Sequence, residues 1–447
     1  MKIVIIGAGD VGSYLAQYLC RDRNELILID TNRGRLDALS ERLDLAAYEG
    51  SATSLSRLQS ADVGGADYFI AATSIDEINA LSCNVAAKLG VGNRIARIRN
   101  DEFSKEVLAM QLADLCVNPE KESARTITEL VMHSGLKDFQ ELAGGRIRMI
   151  SLDVAKGSIF DGCNLSTLAR KLSHLTFRVT AVLRRGVSTI PTGNATLQAG
   201  DTITMAVPDG DTVALIQASG VHDRASHNVM ILGSTPIAVL VARALSPVKG
   251  INLKLFCLKG EGERTSFQLA EELPGVMVFE TAGKEIDAMA QEALGDMDTF
   301  LALTDEEEKN IITSLVAKHL GVGRTITMIQ KAEYMPIVKT IGLDIGINKR
   351  IITAQEILKH VRRGRLRAQV QLPGAGVNVL SFEVSKGSRL ADHVLSKLKL
   401  PADCVMAAVQ RGERAFVPDG ESRIEVGDLV TVVTLEERQS DLERFFG

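Results

Sequence analysis

Apolar, β-branched runs alternate along most of the chain with segments whose apolar residues recur at helical spacing. The first run, Lys2 to Ile6, suits a buried parallel strand. A helical stretch follows, with Tyr14, Leu15, Tyr18 and Leu19 on one face, and then a second strand, Leu26 to Ile29, that closes on Asp30. The alternation continues through a helix at Arg33 to Leu43, a short strand at Ala46 to Tyr48, a helix from Leu55 and a strand at Ala66 to Ala72. Ser74-Ile75-Asp76-Glu77 has the S-x-x-E form of a capping box and predicts a helix running through Asn79, Leu81 and Val85 to Lys88. The next strand, Arg94 to Ile98, carries Arg97 near the end that faces the cleft in an open α/β sheet. Glu122 to His133 reads as a helix leaving this domain, and Gly144-Gly145 as the next boundary. From Arg146 the period shortens to strands at Ile147 to Val154, Thr180 to Leu183 and Thr202 to Val207, with turns at Ile190 to Gly193 and Gly200-Asp201.

The pattern then repeats. His227 to Gly233 is again a strand ending in glycine, and Gly233 follows Gly7 by 226 residues. Pro418 follows Pro191 by 227 and Gly427-Asp428 follows Gly200-Asp201 by 227, while Asn310 follows Asn79 by 231. The sequence therefore predicts an α/β fold of two Rossmann-like parallel-sheet domains, each followed by a small β-rich α/β domain, as an internal duplication. The expected boundaries are 1–120, 143–226, 227–348 and 368–447.

The first copy carries chemistry at the turn out of its first strand. Gly7-Ala8-Gly9-Asp10-Val11-Gly12 has the spacing G-x-G-x-x-G, placed between a strand and a helix. Gly7 permits the tight turn, Gly9 has no Cβ to hold a pyrophosphate away from the backbone, and Gly12 lets the helix pack on the sheet. Phosphate then meets free N–H groups at the helix start. Asp30, 23 residues after Gly7, stands where a carboxylate accepts from ribose hydroxyls and repels a 2′-phosphate. In the second copy Thr235 and Ala238 replace the second and third glycines, Pro236 removes a backbone donor, and Cys257 stands where the first copy has Asp30. A degenerate or differently occupied second cleft is the expectation.

Composition narrows the classes. Among 447 residues, 24% are charged, 45% are hydrophobic and the net charge is −5, so an ordinary globular protein without a basic field for nucleic acid is expected. Trp is absent and Tyr numbers 5, leaving little stacking surface for single strands. The six cysteines form no C-x-x-C pair and have no histidine at metal spacing, as expected of reduced thiols in a cytoplasmic protein. No apolar run approaches the ~20 residues that span a bilayer, so direct membrane insertion is not expected and any membrane role runs through a partner.

With GAGDVG and Asp30, the AATSIDE stretch from Ala71, the RIARIR stretch ending at Arg99 and the paired P-x-G…G-D signatures at Pro191 and Pro418, the chain resembles the TrkA family, peripheral nucleotide-binding subunits of bacterial Trk potassium uptake systems. The resemblance covers essentially the whole chain and implies tandem regulator-of-potassium-conductance (RCK) domains. It also implies a regulatory role: cytoplasmic subunits, peripheral on the inner face of the membrane, form a homo-oligomer (a dimer or a tetrameric ring) below a Trk-type potassium-translocating subunit, and nucleotide changes the ring's shape. NAD(H) is the implied ligand, with ATP and ADP as competing or alternative ones. The implied contacts fall on Gly7, Ala8, Gly9, Asp10, Val11, Gly12, Asp30, Thr73, Ser74 and Arg97. Ser51 departs from the family, many of whose members carry an acid there.

An NAD-dependent oxidoreductase is the alternative, because it too begins with such a fingerprint. It requires a substrate domain supplying a proton-handling residue, and the sequence shows no Ser/His/Asp, Tyr/Lys or His/Asp constellation, so no catalytic residue and no metal ligand is assigned. Asp76-Glu77 and Asp305 to Glu308 read as capping-box acids at the positive ends of helices rather than as cation ligands. Arg362-Arg363-Gly364-Arg365-Leu366-Arg367 is the one basic cluster, read as a linker or as a contact to an acidic partner surface.

Overall fold

Six strands build the first sheet of the computed structural model: β1 (Lys2–Ile6), β2 (Glu25–Asp30), β3 (Ala46–Glu49), β4 (Tyr68–Ala71), β5 (Arg94–Arg97) and β6 (Leu115–Val117), in the order β3-β2-β1-β4-β5-β6. All neighbours are parallel. Ile3, Val4, Ile5 and Ile6 are all buried, because helices cover both faces of the sheet and a parallel strand at its centre has no solvated side. The order reverses between β1 and β4, and the ends of these two strands open the crevice in which ligands of such sheets sit.

The structure describes residues 1–447 except 21–23, 134, 221–225, 263, 339, 362–365, 373–375, 399, 436–437, 439–441, 443–444 and 446–447. The basic run from Arg362 to Arg365 thus lies outside the described residues.

The strands Asn228–Leu232, Asn252–Leu258, Val276–Thr281, Thr299–Ala302, Arg324–Met328 and Ile345–Ile347 form a second six-stranded sheet in the same order. The two sheets with their helices make up one compact unit, Met1–Arg125 with Met230–Val248 and Leu253–Leu358. Thr126–Val229, Lys249–Asn252 and Lys359–Gly447 make up another.

That other unit holds two antiparallel sheets with identical topology. In the first the order is Val187–Thr189, Arg178–Arg184, Thr202–Pro208, Ile147–Asp153, Asp138–Leu142. In the second it is Arg414–Phe416, Cys404–Arg411, Leu429–Leu435, Val377–Glu383, Leu366–Leu372. Their inner faces share one core, in which Leu142, Met149, Ala181 and Ala206 pack with Val379, Ala407, Ala408 and Val433. The repeated Gly-Asp turns have a common use. Asp201 is buried and takes a two-point bond from Arg184, with Nε and Nη2 both at 2.7 Å. Asp428, also buried, takes the same bond from Arg411 at 2.8 Å twice.

Two expectations fail here. Gly144-Gly145 is not a domain boundary but a hairpin turn, with positive φ of 67° and 84°, joining Asp138–Leu142 to the strand it pairs with. The small domain expected to start at 143 therefore includes the preceding strand, and 368 likewise falls inside the strand Leu366–Leu372. The capping boxes also fail. The helix Asp76–Lys88 starts on Ile75 without a side-chain cap, and the helix Glu307–His319 starts on Glu306 in the same way. The threonine hydroxyls close local turns instead, Thr73 Oγ1 accepting from Ile75 N and Thr304 Oγ1 from Glu306 N. Asp76 accepts from the N–H groups of Arg99 and Asn100, and Glu307 from those of Gln330 and Lys331. The acids tie each helix to the loop after the fifth strand, a partner distant in sequence that competes with the cap.

Candidate functional site

The glycine turn after β1 is shaped as its three glycines require. Gly7 has φ +96°, a conformation that costs a residue with a Cβ, and such a Cβ would stand 3.1 Å from Thr73 N. A Cβ on Gly12 would stand 1.8 Å from Gly7 O, so the helix Asp10–Cys20 packs on the turn only because residue 12 has no side chain. A Cβ on Gly9 would meet nothing within 4 Å and would project into open space.

That space is part of a cavity of about 660 Å³. Gly7, Ala8, Gly9, Asp10, Val11, Asp30, Thr73, Ser74 and Arg97 all line it, whereas Gly12 does not and serves packing. Asp30 Oδ2 accepts from Ala8 N at 2.6 Å and Oδ1 from Asn32 N at 2.7 Å. Each carboxylate oxygen keeps a further lone pair, so the carboxylate both fixes the glycine turn and faces the cavity as an acceptor.

The opposite wall is set by a buried asparagine. Asn79 Oδ1 accepts from Thr73 N at 2.9 Å, and its Nδ2 donates to Thr73 O at 3.1 Å and to Arg97 O at 2.7 Å, stapling the end of β4 to the end of β5. Asn310 makes the same bonds to Thr304 and to Met328 O in the second copy, which is why the Ala71 and Ala302 stretches look alike. Arg97 donates from Nη1 to Thr73 O at 2.8 Å, while its buried Nε has no partner among the described residues. Burial pulls the Arg97 guanidinium below the ordinary arginine range, against the opposing pull of Glu120.

Several lining residues were invisible to the fingerprint. Pro119 and Glu120 open the helix Pro119–Met132 that follows β6, and Thr235, Asp305, Gln330, Lys349 and Arg350 come from the second sheet's domain. Arg350 Nη2 lies 2.8 Å from Asp10 Oδ2, and Lys349 Nζ 3.4 Å from Glu120 Oε1. Asn118 Oδ1 accepts from Glu120 N and Lys121 N, and Asn348 Oδ1 from Arg350 N and Ile351 N, so one helix-capping device places both pairs. The shared Asn at 118 and 348 was the available signal, and it says nothing of the charges that follow.

The second glycine turn is held by a different carboxylate. Glu261 Oε2 accepts from Ser234 N at 2.7 Å and Oε1 from Asp305 N at 3.0 Å. Thr235 is the cap of the helix Pro236–Leu245, accepting from Ala238 N and donating to Leu303 O. A carboxylate thus fixes this turn through Ser234 N as Asp30 fixes the first through Ala8 N, but from a Gly260-Glu261-Gly262 turn whose glycines have φ of +84° and +75°. Burial and the nearby Glu261 and Glu280 push the Cys257 thiol up to about 11, so the residue at the Asp30 position is a neutral thiol.

A family model described as the TrkA-N domain matches residues 3–119 and again 229–349, and one described as the TrkA-C domain matches 379–447. The chain belongs to the TrkA family. It is 30% identical to the Trk system potassium uptake protein TrkA homolog of Archaeoglobus fulgidus, with 100% of both chains covered. It is 28% identical to the Trk system potassium uptake protein TrkA of Haemophilus influenzae, over 100% of this chain and 98% of that one. Among solved structures, the GsuK RCK domain matches with a TM-score of 0.61 at 15% identity, covering 100% of this chain and 94% of that one. The GsuK channel bound to NAD matches at 0.62 and 17%, covering 100% and 78%. At these identities the two structures establish the RCK fold. The TrkA-C model matches the last small domain, and the identical strand order of residues 138–208 shows the fourfold layout inferred from the repeat. No helix among the described residues is long and apolar enough to cross a membrane.

Proposed function

We propose that this TrkA-family chain is a nucleotide-sensing regulatory subunit, bound at the inner face of the membrane to a Trk-type potassium-translocating protein whose gate it controls. The observation that carries the reading is the first cleft: an open space at Gly9, the start of the helix Asp10–Cys20 and the Asp30 carboxylate share one cavity. NAD(H) is the proposed ligand, with ATP and ADP as alternatives. GsuK has been solved both bound to NAD and bound to ADP, the latter matching with a TM-score of 0.51, and this supports a cleft of this fold admitting either class. Asp30 disfavours a 2′-phosphate and hence NADP(H). The potassium role follows the names of relatives aligned over the whole chain. The proposed subunit works as an oligomer, transmitting the ligand's preference for one shape of the domain pair over another.

Calorimetric titration of the purified chain with NADH, NAD, ADP, ATP and NADPH tests the site. NADH or an adenine nucleotide should bind, NADPH more weakly, and Asp30→Ala should lose about tenfold or more in affinity for the ligands that bind. Equal affinity in the variant would remove Asp30 from the site. Potassium uptake in cells deleted for the protein tests the gating role, and unchanged uptake would refute it.

A further inference from the structure

The glycine turn and Asp30 serve the part that all the candidate ligands share, an adenosine with two phosphates. What separates the ligands is the rest of the cavity, and there the chain places two carboxylates and two cations from different domains. Asp10 sits in the first turn of its helix against Arg350, and Glu120 sits against Lys349. Glu120 is 8% exposed, and its Oε2 has no hydrogen-bond partner among the described residues. The buried Nε of Arg97 is unmatched in the same sense. Buried polar atoms left in this way are costly, so the wall calls for a ligand bearing both a donor and an acceptor.

A second ribose or a carboxamide offers both. A third phosphate offers acceptors and negative charge, which Glu120 and Asp10 repel. The cations lining the cavity are Arg35, Arg97, Lys349 and Arg350. Arg35 follows Asp30 on the β2 side and Arg97 is tied to Thr73 O, which leaves Lys349 and Arg350 to meet an added phosphate. Both are now spent on carboxylates. The Asp10 and Arg350 side chains are 58% and 32% exposed, and an ion pair that open to water is held weakly enough to exchange for a more highly charged partner.

We propose that Lys349 and Arg350, supplied by the second Rossmann-like domain, discriminate among nucleotides in the first cleft by phosphate number. A nucleoside triphosphate draws them off Glu120 and Asp10, whereas a dinucleotide leaves both ion pairs in place. The inference rests on the first cleft binding a nucleotide and adds how that cleft tells its ligands apart. It also makes the contact between the two domains depend on which ligand is bound.

The test is calorimetric titration of the full chain with NADH, ADP and ATP. In the double variant Lys349→Ala/Arg350→Ala, ATP affinity should fall by about tenfold or more, the scale of one lost charge-assisted contact, while NADH and ADP change by less than about twofold. Asp10→Asn, which frees Arg350 without removing it, should raise the ratio of ATP to NADH affinity above that of the parent, and it carries the test if the double variant does not fold; an unchanged or lowered ratio counts against the discrimination. Parallel losses for all three ligands, or no loss for ATP, would overturn the discrimination while leaving the nucleotide site standing. Absence of binding by the unmodified chain would overturn the site itself and this inference with it.

Discussion

Gly9 and Gly12 are three positions apart and answer to different constraints. A methyl group on Gly12 would strike Gly7 O, so Gly12→Ala should destabilise the protein by about 2–3 kcal/mol through overpacking, measurable by denaturant unfolding. A methyl group on Gly9 meets no protein atom, so Gly9→Ala should unfold within about 0.5 kcal/mol of the parent and yet weaken nucleotide binding by tenfold or more. A variant at Gly9 that unfolds early and binds normally would reverse these roles. Both roles were legible in the sequence, because each depends on the backbone of a single turn whose length the fingerprint fixes. Glu261, Lys349 and Arg350 were not legible. They reach their sites across 27 residues in the bond from Ser234 N and across 229 in the pairing with Glu120, and no spacing rule links such partners.

At the scale of an element, the Gly-Asp turns show how much of a motif can be read and where reading stops. The glycine announces a turn; the aspartate's bond to an arginine 17 residues earlier, Arg184 for Asp201 and Arg411 for Asp428, emerges only when the strands pair. Burial alone would raise the Asp201 carboxyl, but the bonds from Arg184 and Gln198 N outweigh it and hold the group below its ordinary 3.8. A depressed carboxyl contributes stability that is complete above the unfolded-state value and fades as pH falls through the folded one. Arg184→Gln should cost about 2 kcal/mol at pH 7, since it strands a buried charge beside a half-exposed partner, and the variant should lose less than the parent on acidification below pH 3.8. Identical acid limbs in urea titrations of the two proteins would contradict this. The missed strand Asp138–Leu142 has a similar cause: glycines at positive φ serve a hairpin as well as a boundary, and pairing across the turn decides which.

For the whole molecule, the duplication sets two glycine turns in one unit, and Thr235, Pro236 and Ala238 make the second unequal to the first. The ligand stoichiometry should be one nucleotide per chain, checked by calorimetry or equilibrium dialysis; two per chain would mean that the second turn admits phosphate despite Thr235 and Pro236. The periodicity made the fourfold organisation readable, since it needs only landmarks in register. The asymmetry of the clefts was readable in part: the missing glycines and Asp30 equivalent are sequence facts, whereas the carboxylate in their place arrives from a separate turn.

The pairing of Asp10 with Arg350 bears on why two copies were joined in one polypeptide. Arg350 stands two residues after Asn348, as Glu120 stands two residues after Asn118. In a pair of identical, separately encoded first halves docked in the same way, the side chain set against Asp10 would be another glutamate, and any change that relieved the repulsion would alter both partners at once. Fusion releases that symmetry, allowing one lobe to evolve as the counterion of the other. Separating the halves onto two plasmids should therefore yield an obligate heterodimer.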